Sequence, residues 1–332
     1  MEKRKRPTLQ DIANHLGITK MTISRYLRNP NSVAPDTQQK IAAAIEEFGY
    51  IPNRAPDILS NAKSRAIGVL VPSLTNHVFA DVIKGIEQIT DTAGYQTMLA
   101  HYGYSEKKEE QRIESLLSYN VDGLILSESQ HSPRTLKMLE VANIPVIEIM
   151  ECSEIGAYQS VGFNNIMAAQ SMVETMIKRG RKHIVYFAAR LDKRTQLKMQ
   201  GYEQAMHKYG LRPYSLITQE PSSFSLGAQQ LHQALQDVPT LDGIFCTNDD
   251  LAIGAIFECQ RLNIKVPTQI AVAGFHGHNM GQAMTPQLAT VITPRLEVGR
   301  VAAQELLNRL NGQTPQSPII NLGYQIHIGE SI

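Results

Sequence analysis

The sequence predicts a small all-α head, joined by a short hinge to a larger α/β body of two doubly wound parallel-sheet lobes. Three observations carry that prediction. Residues 8–48 hold two amphipathic stripes of helical period on either side of a short basic helix. From Ala66 onward, apolar strand-like runs alternate with amphipathic helices, the pattern of parallel α/β sheets. Within that stretch GIEQITDTAGY (85–95) resembles GYEQAMHKYGL (201–211), and VDGLILSE (121–128) resembles LDGIFCTND (241–249). Two matches in the same order at nearly the same offset imply two similar lobes.

In the head, Leu9, Ile12, Ala13 and Leu16 fall at i, i+3, i+4 and i+7, one apolar stripe. Thr8 is placed to cap that helix, and Asp11 completes a loose capping box. Gly17 ends it and permits a sharp turn. Thr19 caps a second helix, TKMTISRYLR, with Ile23, Tyr26 and Leu27 inward and Lys20, Met21, Ser24, Arg25 and Arg28 on the other face. After the turn NPNSVAPD, the stripe recurs at Ile41, Ala44, Ile45 and Phe48. Two helices joined by a Gly-containing turn, with a third closing the core, form a helix-turn-helix.

The second helix carries the exposed basic and hydroxyl groups, so it is the candidate for a DNA major groove. Lys20 can donate to guanine O6/N7, and Met21 can press on a thymine methyl. Arg25 suits a base or a phosphate; Ser24, Arg28 and the basic run 3–6 suit phosphates. Charge is distributed accordingly. Residues 1–65 hold 11 Lys/Arg against 6 Asp/Glu, whereas the remainder holds 21 against 25. A basic head on a mildly acidic body lets only the N-terminus meet phosphate.

The hinge, YIPNRAPDILSNAKSRAIG, contains a seven-residue segment, APDILSN, that is too short for a stable isolated helix. It is expected to order only against DNA or a second copy, with Leu59 as a wedge for a minor-groove base step.

Ligands of parallel sheets bind beyond the C-terminal ends of the strands, so two facing lobes place a site in the cleft between them. The loops there are PSLTNHVF, ESQH, the EIMEC run, ARLDKR, TNDD and HGHN. Their hydroxyls, amides, guanidinium groups and imidazoles suit a polyol or a sugar acid. Catalytic patterns are missing: no Walker or dinucleotide loop, nucleophile elbow, HExxH or CxxC occurs. His276 and His278, beside Asn279, could be a metal pair but lack an obvious third ligand. The reading is therefore of no metal, no cofactor and no enzyme activity. Cys152, Cys246 and Cys259 read as reduced thiols. MEKRKRPTLQ has no apolar run behind it, and no segment reaches membrane-spanning length, so a cytoplasmic, nucleoid-associated protein is expected.

Several segments resemble one family from end to end: TLQDIANHLGITKMTISRYL, YIPNRA, IGVLVPSLTNHVFA, TNDDLAIGA and ITPRLEVGRVAAQELL look like the LacI/GalR repressors. RAPDILSNAKSRAIG, GYQTMLAHYGY, ARLDKRT and AGFHGH are similar to the gluconate-utilisation branch within it. The resemblance implies a helix-turn-helix head plus hinge followed by a periplasmic-binding-protein-like (type I) sensor domain. The expected bounds are a head at 1–51 (helix-turn-helix 9–28), a hinge at 52–65 and a body at 66–332. Its lobes would be 66–162 with 293–321, and 163–292 with 322–332.

The resemblance further implies a homodimer on a pseudo-palindromic double-stranded operator. The DNA-binding set would be Thr8, Thr19, Lys20, Met21, Thr22, Ser24, Arg25, Arg28, Asn53, Ala55 and Leu59. Carried over by position, the effector residues are Ser73, Asn76, Phe79, Lys198, Asn248, His276, Thr293 and Arg295, with Arg190 and Arg194 beside them. Two departures stand out. The family usually has Arg where this chain has Lys198, and Asp where it has His276. Losing an acid beside three cations favours an anionic ligand over a neutral sugar. The expectation is a repressor released by gluconate or a related hexonate. Rival readings are a neutral-sugar or corepressed regulator of the same fold, and a transport-type sugar-binding protein. No leucine-heptad tail follows the last strand, which favours a dimer over a tetramer.

Overall fold

The computed structural model describes residues 6–53, 63–152 and 156–332, which fall in two compact units, one reaching Lys63 and the other running from Ser64 to Ile332.

In the first unit, α1 (Leu9–Leu16), α2 (Lys20–Arg28) and α3 (Pro35–Phe48) surround one core. The reciprocal capping box at Thr8 and Asp11 is formed: the Thr8 hydroxyl accepts from the Asp11 amide, and the Asp11 carboxylate accepts from the Thr8 amide at 2.7 Å. Gly17 takes the left-handed conformation (φ +67°) that ends α1, a backbone geometry in which a side chain is strained. Ile12, Ile23 and Ile41 are fully buried at the centre, each contributing about 1.5–3 kcal/mol relative to exposure. Leu9, Leu16, Tyr26, Leu27, Ile45 and Phe48 pack around them.

The second unit contains, among the described residues, two six-stranded sheets. The first has the order β11-β5-β4-β3-β1-β2, made of β1 (Ala66–Val71), β2 (Gln96–His101), β3 (Gly123–Leu126), β4 (Val146–Ile149), β5 (Gln159–Gly162) and β11 (Ile319–Asn321). The second has the order β12-β10-β9-β8-β6-β7, made of β6 (Ile184–Phe187), β7 (Tyr214–Leu216), β8 (Gly243–Cys246), β9 (Ala271–His276), β10 (Ala289–Ile292) and β12 (Gln325–His327). All pairings are parallel except β10 with β12. The chain passes between the sheets after β5, after β10 and after β11.

The helices that position the site are α4 (Val78–Thr90), α7 (Asn165–Lys178), α8 (Lys193–Lys208), α10 (Asp249–Arg261) and α12 (Arg295–Leu310). Between them lie α5 (Glu106–Ser118), α6 (Pro133–Ala142), α9 (Phe224–Asp237) and the short α11 (Asn279–Ala283).

The recurring segments fall at equivalent places, and each has a physical duty. VDG and LDG open β3 and β8, the fourth strand in the order of each sheet. The Asp122 carboxylate accepts from the amides of Ser64 and Arg65, just before β1. Asp242 accepts from those of Lys182 and His183, just before β6. Gly85 and Gly201 mark close helix crossings: a Cβ at Gly85 would collide with the Leu296 carbonyl of α12, and one at Gly201 with the Ile166 carbonyl of α7. The three cysteines are free, with Cys246 and Cys259 buried. No described helix is long and apolar enough to cross a membrane.

Candidate functional site

In the head, the Thr19 cap fixes the start of α2, its hydroxyl accepting from the Thr22 amide. Ile23 turns into the core, which turns Lys20, Met21, Arg25 and Arg28 outward. Met21 is 67% exposed, so its thioether is accessible on the outward face of α2. Ser24 is half-buried on the same side. The Thr22 hydroxyl lies 3.0 Å from that of Thr19 and so serves the cap. Thr8, Lys20 and Asn53 border one concavity together with Arg6. Ala55, Leu59 and basic residues 3–5 lie outside the described residues.

In the body, the strand ends bring Asn76, Phe79, Arg190, Arg194, Lys198, Asn248 and His276 to one cavity of about 30 Å³. Asn76 donates to the Tyr104 hydroxyl at 3.2 Å, and the Arg190 guanidinium lies 4.8 Å from the Tyr104 ring centre. The Asn248 side-chain oxygen accepts from Ser222 at 2.6 Å. The remaining three expected residues stand outside the lining. Ser73 caps its own turn by accepting from the amides of Thr75 and Asn76. The Thr293 hydroxyl lies 3.2 Å from His276 Nδ1. Arg295 pairs with Asp81 at 2.9 Å and donates to the His276 carbonyl, so it fixes the backbone of β9 rather than facing the cavity.

Three basic groups meet here in different electrostatic states. Lys198 is buried; its amine donates to the Thr247 carbonyl at 3.0 Å, lies 3.0 Å from His276 Nε2, and sits 4.1 Å from the Phe275 ring centre. Burial pushes its pKa down to about 7. Burial, and then the charges of Lys198 and Arg295, hold the His276 imidazole well below its ordinary range, so it is neutral. Arg194 is also buried, but Glu128 and Asp192 more than offset the desolvation and keep it charged. It donates to the Ser127 carbonyl and to Glu128 at 3.1 Å.

The charge around the cavity is thus more balanced than the Asp-to-His departure suggests. Asp192 lines the cavity, accepting from the Thr195 amide as the N-cap of α8. Glu128 neutralises Arg194 from the opposite lobe. Burial pushes the Glu151 carboxyl up to about 7, against the pull of Arg194 and Lys193. Sequence reasoning missed Tyr104, Asp192, Thr195 and Thr247 as lining residues. Asp192 and Thr195 stood in the quoted ARLDKRT segment, where D-x-x-T is a readable cap signal. His276 and His278 stack at 6.3 Å, and both His276 nitrogens face protein groups, so the geometry is not that of a metal pair.

Residues 8–53 match the family model described as bacterial regulatory proteins, lacI family. Residues 64–327 match that of periplasmic binding proteins and the sugar binding domain of the LacI family. The chain belongs to the LacI family. It is 57% identical to the HTH-type transcriptional regulator GntR of Escherichia coli K12 over 330 residues, covering 99% of this chain and all of the relative. The HTH-type transcriptional regulator IdnR of the same strain is 47% identical over 328 residues, 98% of this chain and 99% of its own length. Among solved structures, a LacI-family transcriptional regulator from Silicibacter pomeroyi superposes with a TM-score of 0.92 at 30% identity, covering 98% and 99% of the two chains. This LacI-family chain is accordingly a DNA-binding transcriptional regulator and not an enzyme. Its α1–α2 pair is the helix-turn-helix, and its two-sheet unit is the sensor.

Proposed function

We propose that this LacI-family regulator represses sugar-acid utilisation genes and leaves its operator when gluconate or a related hexonate enters the cleft between the sheets. The observation that carries the reading is the convergence of Arg190, Arg194 and Lys198 on one cavity where a neutral His276, beside Lys198, also lines the wall. A carboxylate satisfies guanidinium and ammonium donors through charge-assisted hydrogen bonds, while Asn76 and Asn248 suit the hydroxyls of a polyol chain. The 57% identity to GntR supports the same choice.

The cavity of about 30 Å³ is far smaller than the roughly 300 Å³ of even a small ligand pocket. A hexonate therefore fits only if the lining moves apart. Differential affinity of that kind is what lets a ligand shift an equilibrium between two conformations. In this reading the protein works as a cytoplasmic homodimer on a pseudo-palindromic operator. Lys20, Met21 and Arg25 read bases; Thr8, Thr19, Thr22, Ser24, Arg28 and Asn53 hold the backbone; Ala55 and Leu59 belong to a hinge at 52–65.

Thermal melting of the full chain tests the ligand class. Gluconate or 5-ketogluconate should raise Tm in proportion to the logarithm of its concentration, and galactose and a purine should leave it unchanged. A shift with galactose alone would replace the acid by a neutral sugar.

A further inference from the structure

Arg194 stands on α8, beneath the second sheet, yet its guanidinium is held by the first sheet's strand end. It donates to the Ser127 carbonyl and to Glu128 Oε1 at 3.1 Å, and both acceptors directly follow β3. Glu128 is itself fixed, since the Tyr102 hydroxyl donates to the same oxygen, and Ser127 lies 3.3 Å from that hydroxyl. The pair is largely screened from water, with 10% of the Arg194 side chain and 18% of the Glu128 side chain exposed. The guanidinium also borders the cavity and lies 5.8 Å from the Phe79 ring centre.

We infer that Glu128 is a built-in competitor for the effector's carboxylate: it occupies Arg194 across the cleft and must be displaced before an acidic ligand can use that guanidinium. A hydroxyl cannot replace a carboxylate on a guanidinium at comparable strength, whereas another carboxylate can. Glu128 therefore sets a threshold that acids pass and neutral polyols fail. The displaced bond is also one that ties the two lobes together, so the same exchange loosens the cleft. This deepens the gluconate reading and rests on it for the identity of the ligand.

Glu128→Gln keeps the shape and can still accept from Tyr102, but it removes the competing charge. Isothermal titration of the full-length protein with D-gluconate and with D-glucitol, its uncharged analogue, reads the effect. Gluconate should bind Glu128→Gln about tenfold more tightly than the parent, and glucitol, silent with the parent, should become measurable. An unchanged or weaker gluconate affinity in the variant overturns the competitor role. If the parent binds no gluconate, the effector reading fails, and the clasp is judged without ligand. A double-mutant cycle of Glu128→Gln with Arg194→Gln, followed by urea unfolding, should then show coupling of at least about fivefold in the unfolding constant. Absence of coupling overturns the clasp.

Discussion

The Lys198 amine and the His276 imidazole face each other at 3.0 Å, both buried, in the wall of the cleft. Two bases meeting without an acid between them cannot both carry charge at modest cost. The arrangement leaves Lys198 able to pick up a proton when an anion arrives.

Effector affinity should therefore depend on pH in a defined direction. With the Lys198 pKa pushed down to about 7, the amine is charged below that pH and neutral above it. Gluconate binding should be flat below about pH 7 and weaken as pH rises toward 9. Lys198→Arg, which stays charged throughout, should show only the shallower fall that ionisation of Glu151 near pH 7 imposes on both proteins. Titrations at pH 6, 7, 8 and 9 check this, and parallel profiles for the two proteins would contradict it.

Lys198→Ala should lose effector binding while retaining the operator. Removing a charge-assisted hydrogen bond costs about 1.5–3 kcal/mol, roughly 10- to 150-fold in affinity. Operator anisotropy in its presence should respond to gluconate only at correspondingly higher concentrations. A variant released at ordinary gluconate concentration would remove Lys198 from the site.

A second buried network governs stability. His131 lies 2.9 Å from Glu109 and 3.6 Å from Glu148, all nearly solvent-free. Burial alone would lower its pKa, but the hydrogen bond with Glu109 and the proximity of both carboxylates push it up to about 9. Because the folded value is raised, the contribution is complete below about 6.5 and is lost as pH rises through 9. Lys198 works in the opposite sense between about 7 and 10.5, since its folded value is lowered. The difference between the parent and His131→Gln isolates the first effect. It should be on the order of 2–3 kcal/mol at pH 6 and shrink by pH 9.5 in urea unfolding.

Gly201→Ala should destabilise the body by about 1–3 kcal/mol, because its methyl would meet the Ile166 backbone and the crossing of α7 and α8 must open. A lowered urea midpoint with an unchanged m-value is expected; an unchanged midpoint would contradict the close-crossing account.

The head and the lobe repeat were legible in the sequence because their signals are local. The stripe from Leu9 to Leu16, the Thr8 and Thr19 caps and Gly17 each act within a few residues, and the DG of each repeat ties down a neighbouring strand. The cleft was legible only in part. Family position led to Asn76, Lys198, Asn248 and His276, but not to Tyr104 or Thr247, which depend on how two separate sheets face each other. Thr293 and Arg295 follow β10 and were expected in the lining. In the structure they support His276 from behind, through its Nδ1 and its carbonyl. The pairing of Arg194 with Glu128 was not readable, although both loops had been placed at the cleft, since the two residues are 66 apart in the chain.

Base reading and phosphate holding should separate in the head. Lys20→Ala should cost about 1–3 kcal/mol on the specific operator and relax preference at one base. Arg28→Ala should weaken all sequences alike and reduce the slope of log affinity against log salt by about 1. Operator and scrambled-duplex anisotropy across salt concentrations distinguishes them. A Lys20→Ala loss shared equally by scrambled DNA would contradict the base-reading role.

Release of the head from DNA by an acid in the cleft can be read by fluorescence anisotropy of an operator duplex with the full-length protein. The titration is repeated without ligand and with gluconate, 5-ketogluconate, galactose and a purine. The sugar acids alone should weaken binding; tighter binding with gluconate, or indifference to all four, would show that an acid in the cleft does not release the head.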